Sequence, residues 1–330
     1  MKEQIARPEK IAAMDTAFQP ATPAQSPLEG GRASAGNRDQ WRGFALAAAC
    51  LTLLFCKPLY SLARFAARSD LYSYILLIPF VSLYLVWLKK RDLPRGSWPI
   101  RWLAAVPLGA GLTALAGYRW AVHGGAALAE ADGLALLAFS FFSLLAGAAC
   151  LFLGREHLRA LVFPLGFLIF ITPIPGFLMD GIEVFLQQGS AAVAHTLFSL
   201  SGTPFARNGL VFQLPGIPIR VAPECSGIHS SLILFITSLL AGHLFLRTPW
   251  KRTVLALAVI PLALVRNGLR IFTIGELCVH IGPEMINSVI HRRGGPLFFL
   301  LSLAPFFFFL IILQKSDRTR GKTSPQNPEI

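Results

Sequence analysis

The chain has 330 residues, of which 54% are hydrophobic and only 14% are charged, and its mean hydropathy is +0.57. This composition excludes an ordinary soluble globular protein and indicates that the lipid bilayer is its main solvent. The net charge of +13 does not indicate nucleic-acid binding, because the basic residues lie between long apolar runs. We therefore expect membrane lipids, and no nucleic acid, among the partners.

The two ends of the chain differ from its middle. Residues 1–40 are polar and lack a sustained apolar period, which predicts a disordered cytoplasmic tail. Residues 314–330 are basic and predict a second cytoplasmic tail. Between them, residues 41–313 form the predicted transmembrane domain.

Apolar runs in this middle region each approach the roughly 20 residues that a helix needs to cross the hydrocarbon core. The runs are 43–62, 71–88, 101–121, 133–153, 157–178, 226–246, 253–272 and 296–313. The sequence therefore predicts an all-α membrane bundle of about eight transmembrane helices.

Basic residues orient the spans. With a cytoplasmic N-terminus, 20 of the 30 Lys and Arg residues fall inside, including those at 89–91 and 247–252. An even number of spans also returns the basic C-terminal tail to the cytoplasm. We predict a multi-pass protein with both termini inside.

Two segments between the spans have other patterns. Residues 179–202 mix polar and apolar side chains and predict an amphipathic helix lying on or dipping into the outer surface. Residues 210–214 and 217–221 alternate around Pro215-Gly216 and predict a small outward-facing hairpin. Pro218 restricts the second strand to an edge.

Cys225 lies where this polar loop meets the apolar run that starts at Ile228. A partly hydrated thiol near a helix N-terminus favours the reactive thiolate. The five cysteines show no CxxC or metal-ligand spacing, so we predict no metal and no cofactor.

Three kinds of side chain converge on the predicted outer face: the thiol of Cys225, the guanidiniums of Arg266 and Arg270, and the imidazole of His291. Acyl transfer by a cysteine needs a base for the thiol proton and fixed donors for the oxyanion. Ionised arginines in a membrane are costly and often mark functional sites, although these two could instead reach lipid phosphates. Helical spacing from Cys225 would make His229 an alternative base.

The motifs Cys225-Ser-Gly, Asn267-Gly-Leu-Arg270 and His291 before a final apolar helix resemble those of the exosortase/archaeosortase family. The resemblance covers about residues 160–313, the predicted catalytic part. It implies a membrane cysteine transpeptidase of the bacterial branch, located in the inner membrane with its active site on the periplasmic side. Cys225 would be the nucleophile, Arg270 would stabilise the transition state or thiolate, and His291 would be the acid and base. Many members carry an arginine where this chain has His229.

The resemblance also implies the substrates. These would be secreted proteins with a C-terminal Pro-Glu-Pro-like motif, one transmembrane helix and a basic end. Cleavage at the motif would give a thioester, and the acyl group would pass to an acceptor. Apart from the resemblance, which assigns no role to Arg266, we take His229, Arg266 and Asn267 as candidate supporting residues.

Two other functions remain open from the residues. The outer arginines could bind an anionic group in a transporter or lipid-handling protein. Alternatively, Cys225 and Cys278 could form the redox pair of a thiol-disulfide carrier.

Overall fold

The computed structural model describes residues 27–90, 101–223, 226–287 and 295–322, with side chains between 39 and 317. Its helices are Pro27–Leu54 (α1), Cys56–Arg68 (α2), Ile78–Lys89 (α3), Ala105–His123 (α4), Glu130–Phe152 (α5), Arg155–Phe167 (α6), Gly176–Ser201 (α7), Ile228–Phe245 (α8), Pro249–His280 (α9) and Gly295–Lys322 (α10). Its strands are Ala206–Asn208 (β1), Val211–Leu214 (β2) and Ile217–Arg220 (β3). The predicted all-α class with a small strand region is confirmed.

Several of these helices have the length and composition of membrane spans. Within the described ranges, four qualify singly: α5, α8, α9 and the part of α10 from Gly295 to Asp317. Two bent pairs, α1 with α2 at 69° and α6 with α7 at 91°, raise the number to six if each pair is one span. The predicted number of eight is not confirmed, since the runs 71–88 and 101–121 give α3, which is short, and α4, which does not qualify.

The helical region extends beyond both ends of the predicted transmembrane domain. Helix α1 begins at Pro27, inside the segment predicted as a disordered tail, and α10 continues to Lys322. Short-range helical hydrogen bonds need no buried apolar face, so polar residues can prolong a helix beyond its apolar part. Composition therefore located the apolar core better than the helix ends.

Helix α7 covers the segment 179–202, for which an amphipathic helix was predicted. It packs lengthwise along α9, from Gly189 near Leu264 to Ser201, whose hydroxyl lies 3.1 Å from the Glu276 carboxylate. Three glycines allow this approach, because a Cβ on any of them would come within 3.0 Å of a side chain on the partner helix. They are Gly189, Gly268 and Gly275.

The predicted hairpin is confirmed, and one more strand joins it. β2 and β3 pair antiparallel around the turn at Gly216, where φ is +83°. β1 pairs with the other edge of β2, so the order is β1-β2-β3 and the strand with Pro218 lies at an edge, as expected. The sheet packs Phe212 and Ile219 against α7 and the final turns of α9.

Helices α8 and α9 run antiparallel and share a core with α10. The 32 residues of α9 span about 48 Å, longer than a hydrocarbon core of about 30 Å, which explains why its final turns pack on the sheet. We call the end of the bundle that carries β1–β3 the sheet end, and the opposite end, with residues 247–252, the basic end.

Candidate functional site

A left-handed turn at Gly227 forms the centre of the candidate site, at the sheet end. Gly227 has φ +71° and ψ 19°, a conformation that only glycine adopts without strain, and it immediately precedes the first residue of α8. Its carbonyl accepts hydrogen bonds from the Ser230 and Ser231 hydroxyls at 3.0 and 2.8 Å. Ser226, just before it, is only 1% exposed. The turn is therefore built into the bundle.

Arg266 reaches this turn from α9. Its Nη2 donates to the Gly227 carbonyl at 3.1 Å and to the Ser231 hydroxyl at 3.0 Å. The side chain is 5% exposed, and within the described residues no carboxylate pairs with it and its buried Nη1 has no hydrogen-bond partner. A guanidinium in a dry setting held by neutral oxygens alone is costly. Its presence is therefore a functional signal.

Asn267 closes the other side of the turn. It is 2% exposed, and a Cβ placed on Gly227 would lie 3.1 Å from its Oδ1 and 2.9 Å from Nη2 of Arg266. Two adjacent residues of α9 thus leave no room for a side chain at position 227. Both the positive φ and the close contacts require glycine there.

The loop between the sheet and α8 is anchored at its other end as well. The backbone N–H of Val221 donates to the Leu210 carbonyl at 2.9 Å. The Val221 carbonyl accepts from Nε2 of the buried Gln187 on α7, at 3.5 Å. The two ends of this connection, Val221 and Gly227, are consequently held by three elements: the sheet, α7 and α9.

Only part of the predicted catalytic set falls in the described chain. Cys225 and His291 lie outside the described residues. In the sequence, Cys225 precedes Gly227 by two positions, and His291 precedes the start of α10 by four. Arg270 is half-buried on α9, one turn beyond Arg266 and on the same helix face. The structure thus brings together Arg266, Asn267 and Gly227, of which the sequence predicted the first two as supporting residues.

The structure changes the argument for His229. Helix α8 begins at Ile228 after the left-handed Gly227, so helical spacing does not relate His229 to Cys225, and that part of the prediction is wrong. The Nε2 of His229 is buried and, in the described part of the chain, has no hydrogen-bond partner. Its role as an alternative base stays a prediction.

An apolar cavity of about 380 Å³ lies next to the turn, between α7, α8 and α9. Among the described residues that line it, Ser231, which bonds to Arg266, is the single polar one. Ile228 and Phe235 line it from α8, and Leu186 lines it from α7. The apolar cavity thus lies beside the buried guanidinium of Arg266.

Sequence reasoning missed two features of the sheet end. Ser231 gave no signal, because a serine in an apolar run more often bonds to its own helix backbone. Glu276 joins α9 to the end of α7 and to the loop after it through the Ser201 and Thr203 hydroxyls, contacts that no local pattern indicates. Among the described residues, no cluster of His, Cys, Asp or Glu could hold a metal ion.

Comparison with known proteins gives one match. No curated protein and no solved structure matches the chain. The family described as "Transmembrane exosortase (Exosortase_EpsH)" matches residues 66–308, well over half of the chain and including every predicted site residue. The chain therefore belongs to the exosortase family, membrane proteases or transpeptidases that act on secreted proteins with C-terminal sorting signals.

Proposed function

We propose that this protein is a cysteine transpeptidase of the inner membrane that cleaves the C-terminal sorting signal of secreted proteins at its outer face. Cys225 is the nucleophile, His291 the general acid and base, and Arg270 the stabiliser of negative charge. Family membership supports this class of reaction. The charge distribution supports an outward-facing site, because the basic end carries Arg247, Lys251 and Arg252 and the sheet end lies opposite.

The reaction divides into two acyl transfers. His291 takes the thiol proton, and the Cys225 thiolate attacks the scissile carbonyl to give a tetrahedral oxyanion near Arg270. The oxyanion collapses, the C–N bond breaks, and the imidazolium returns its proton to the leaving amine. The thioester is then attacked by an acceptor nucleophile, whose proton passes to His291 as the Cys225 thiolate leaves. Water as the acceptor would give hydrolysis.

One observation carries the proposal: the guanidinium of Arg266, which pairs with no carboxylate among the described residues, is buried against the Gly227 turn, two residues after Cys225. Arg266 bonds to the Gly227 carbonyl, and Arg270 follows one turn later on the same face of α9. Two cations close to Cys225 in the sequence-predicted site would favour its thiolate form. Ionised arginines are costly inside a membrane, so their presence there indicates a function.

The apolar cavity supports a membrane-anchored substrate. It lies between helices with the composition of spans and ends at Ser231, within hydrogen-bond distance of Arg266. Apolar side chains of a substrate helix could enter it from the lipid while the preceding motif reaches the turn. Helix packing in lipid depends on such shape complementarity.

The test uses Cys225→Ala and Cys225→Ser in cells that express a tagged secreted protein with a sorting signal. We expect both variants to abolish processing, read as loss of the mass shift on a gel, and hydroxylamine to release a thioester-linked product from wild type. Cys278→Ser serves as the matched control and should process normally. Unchanged processing in both Cys225 variants would exclude the proposal.

The buried arginine also favours a second candidate, an anion-binding transporter or lipid-handling protein. In that case the thiol is dispensable, and Arg266→Gln or Arg270→Gln should abolish function while Cys225→Ala should not. The cysteine variants therefore discriminate between the two classes. Cys278 is 2% exposed in the sheet-end core, and mass spectrometry of the non-reduced protein tests the Cys225–Cys278 pairing of a redox carrier.

A further inference from the structure

We propose that Arg266 is a positioning residue that fixes the loop carrying Cys225 by clamping the Gly227 turn. The proposal rests on the proposed function for its catalytic consequence. It goes beyond the predicted catalytic set of Cys225, Arg270 and His291, because it assigns a mechanical role to a second arginine. The clamp itself consists of contacts within the described chain.

The first step is the geometry of the clamp. One nitrogen, Nη2 of Arg266, donates both to the Gly227 carbonyl and to the Ser231 hydroxyl, and that hydroxyl itself donates to the same carbonyl at 2.8 Å. The three groups form a closed triangle between α8 and α9. A rotation of the Gly227 peptide would break two of its three sides.

The second step is the burial of the clamp. Arg266 and Asn267 are 5% and 2% exposed, and Asn267 leaves no space on the other side of the turn. In this dry setting a charge-assisted hydrogen bond is stronger than in water. The turn is therefore held in place much more firmly than an exposed loop would be.

The third step is the short covalent path to the thiol. Cys225 is separated from Gly227 only by Ser226, whose N–H donates to the Pro223 carbonyl at 2.9 Å. With Val221 held by Leu210 and Gln187, both ends of the loop are fixed. Arg266 thus limits how far the backbone next to the nucleophile can move.

The kinetic test compares Arg266→Gln with Arg252→Gln. Arg252 is the matched control, because its Nε also donates to a backbone carbonyl, that of Leu246 at 2.9 Å, but at the opposite end of α9. We expect Arg266→Gln to lower kcat about a hundredfold with KM nearly unchanged, since a misplacement of about 1 Å costs that much. Arg252→Gln should leave both constants unchanged, and Arg266→Lys should recover part of the loss.

A double-mutant cycle with Ser231→Ala tests whether Arg266 acts through the clamp. The losses in kcat should be clearly less than multiplicative in the double variant, because both changes open the same triangle. Independent losses, a changed KM with normal kcat, or full activity of Arg266→Gln would each overturn the proposal.

A readout without catalysis separates this proposal from the proposed function. In a background in which Cys50, Cys56, Cys150 and Cys278 are replaced by serine, a water-soluble maleimide measures how fast Cys225 is alkylated. We expect Arg266→Gln to change that rate at least fivefold and Arg252→Gln to leave it unchanged. If Cys225→Ala processes substrate normally, the catalytic role fails, and the alkylation rate still decides whether Arg266 holds the loop. An unchanged rate overturns the clamp.

Discussion

Helix α9 buries two cations, Lys251 in its first turn and Arg266 near its middle, and their surroundings differ. At the basic end, Lys251 is 2% exposed and lies 3.0 Å from Asp317 on α10, whose carboxylate also accepts from the backbone N–H groups of Arg247 and Thr248. At the sheet end, Arg266 is 5% exposed and, among the described residues, meets only a carbonyl and a hydroxyl.

The difference indicates that the charge of Lys251 serves the stability of the fold and that the charge of Arg266 serves its function. The ion pair of Lys251 and Asp317 is buried and hydrogen-bonded and joins α9 to α10. Because each charge is already paired, neither is available to bind or stabilise another charged group. A buried guanidinium without a counter-ion costs stability, and such a cost persists where the group serves another purpose. We therefore expect the basic end to respond to mutation by unfolding and the sheet end to respond by losing activity.

The largest effect on stability should come from Asp317→Ala. It leaves Lys251 buried without its partner, which costs about 3–5 kcal/mol of unfolding free energy. Equilibrium unfolding in mixed micelles measures the loss. Asp39→Ala is the control, because its pair with Arg42 is exposed, with side chains 76% and 77% accessible, and should cost less than about 1 kcal/mol.

A compensating change sharpens this first prediction. Lys251→Met in the Asp317→Ala background removes the stranded charge and should recover most of the lost stability. If Asp317→Ala unfolds no more easily than the exposed control, the basic end does not depend on its ion pair and the contrast with Arg266 fails.

A smaller effect is expected for Gly227→Ala. The left-handed backbone costs about 1–2 kcal/mol for a residue with a Cβ, and here the new methyl group also meets Arg266 and Asn267. Gly209→Ala is matched, since its φ is +60° and nothing lies within 4 Å of its Cβ position. It should lose only the backbone contribution, measured by the same unfolding experiment.

The difference between these two glycine variants measures how tightly α9 closes on the turn. Gly227→Ala should also abolish most processing, whereas Gly209→Ala should retain it. Equal stability losses together with equal activity would show that the turn has room for a side chain and that α9 does not clamp it.

The smallest change in stability is predicted for Arg266→Met. The variant loses two hydrogen bonds but also removes a desolvated charge, so the unfolding free energy should stay within about 1 kcal/mol of wild type. Processing should nevertheless fall steeply. A loss of several kcal/mol would instead identify Arg266 as a structural residue.

The site illustrates how far sequence reasoning reaches. Arg266 and Arg270 are four residues apart on α9, so their common face could be predicted from helical spacing. The contact of Arg266 with Gly227 joins residues 39 positions apart, and no local pattern indicates it. The third strand was missed for a related reason: Ala206–Asn208 is three exposed residues long and has no alternation, so only pairing with β2 makes it a strand.

The sequence by itself determined the membrane environment, the all-α class and the segment that carries the candidate site. The reason is that the transfer of an apolar segment into lipid and the spacing of its residues depend only on residues close together in the chain. The tertiary structure decided which helices meet. Helix α7 packs along α9 at glycines that permit a close approach. Arg266 donates a hydrogen bond to the Gly227 carbonyl, whereas Lys251 pairs with the carboxylate of Asp317. Whether a buried charge is compensated depends on partners that are distant in the chain, and packing alone selects them.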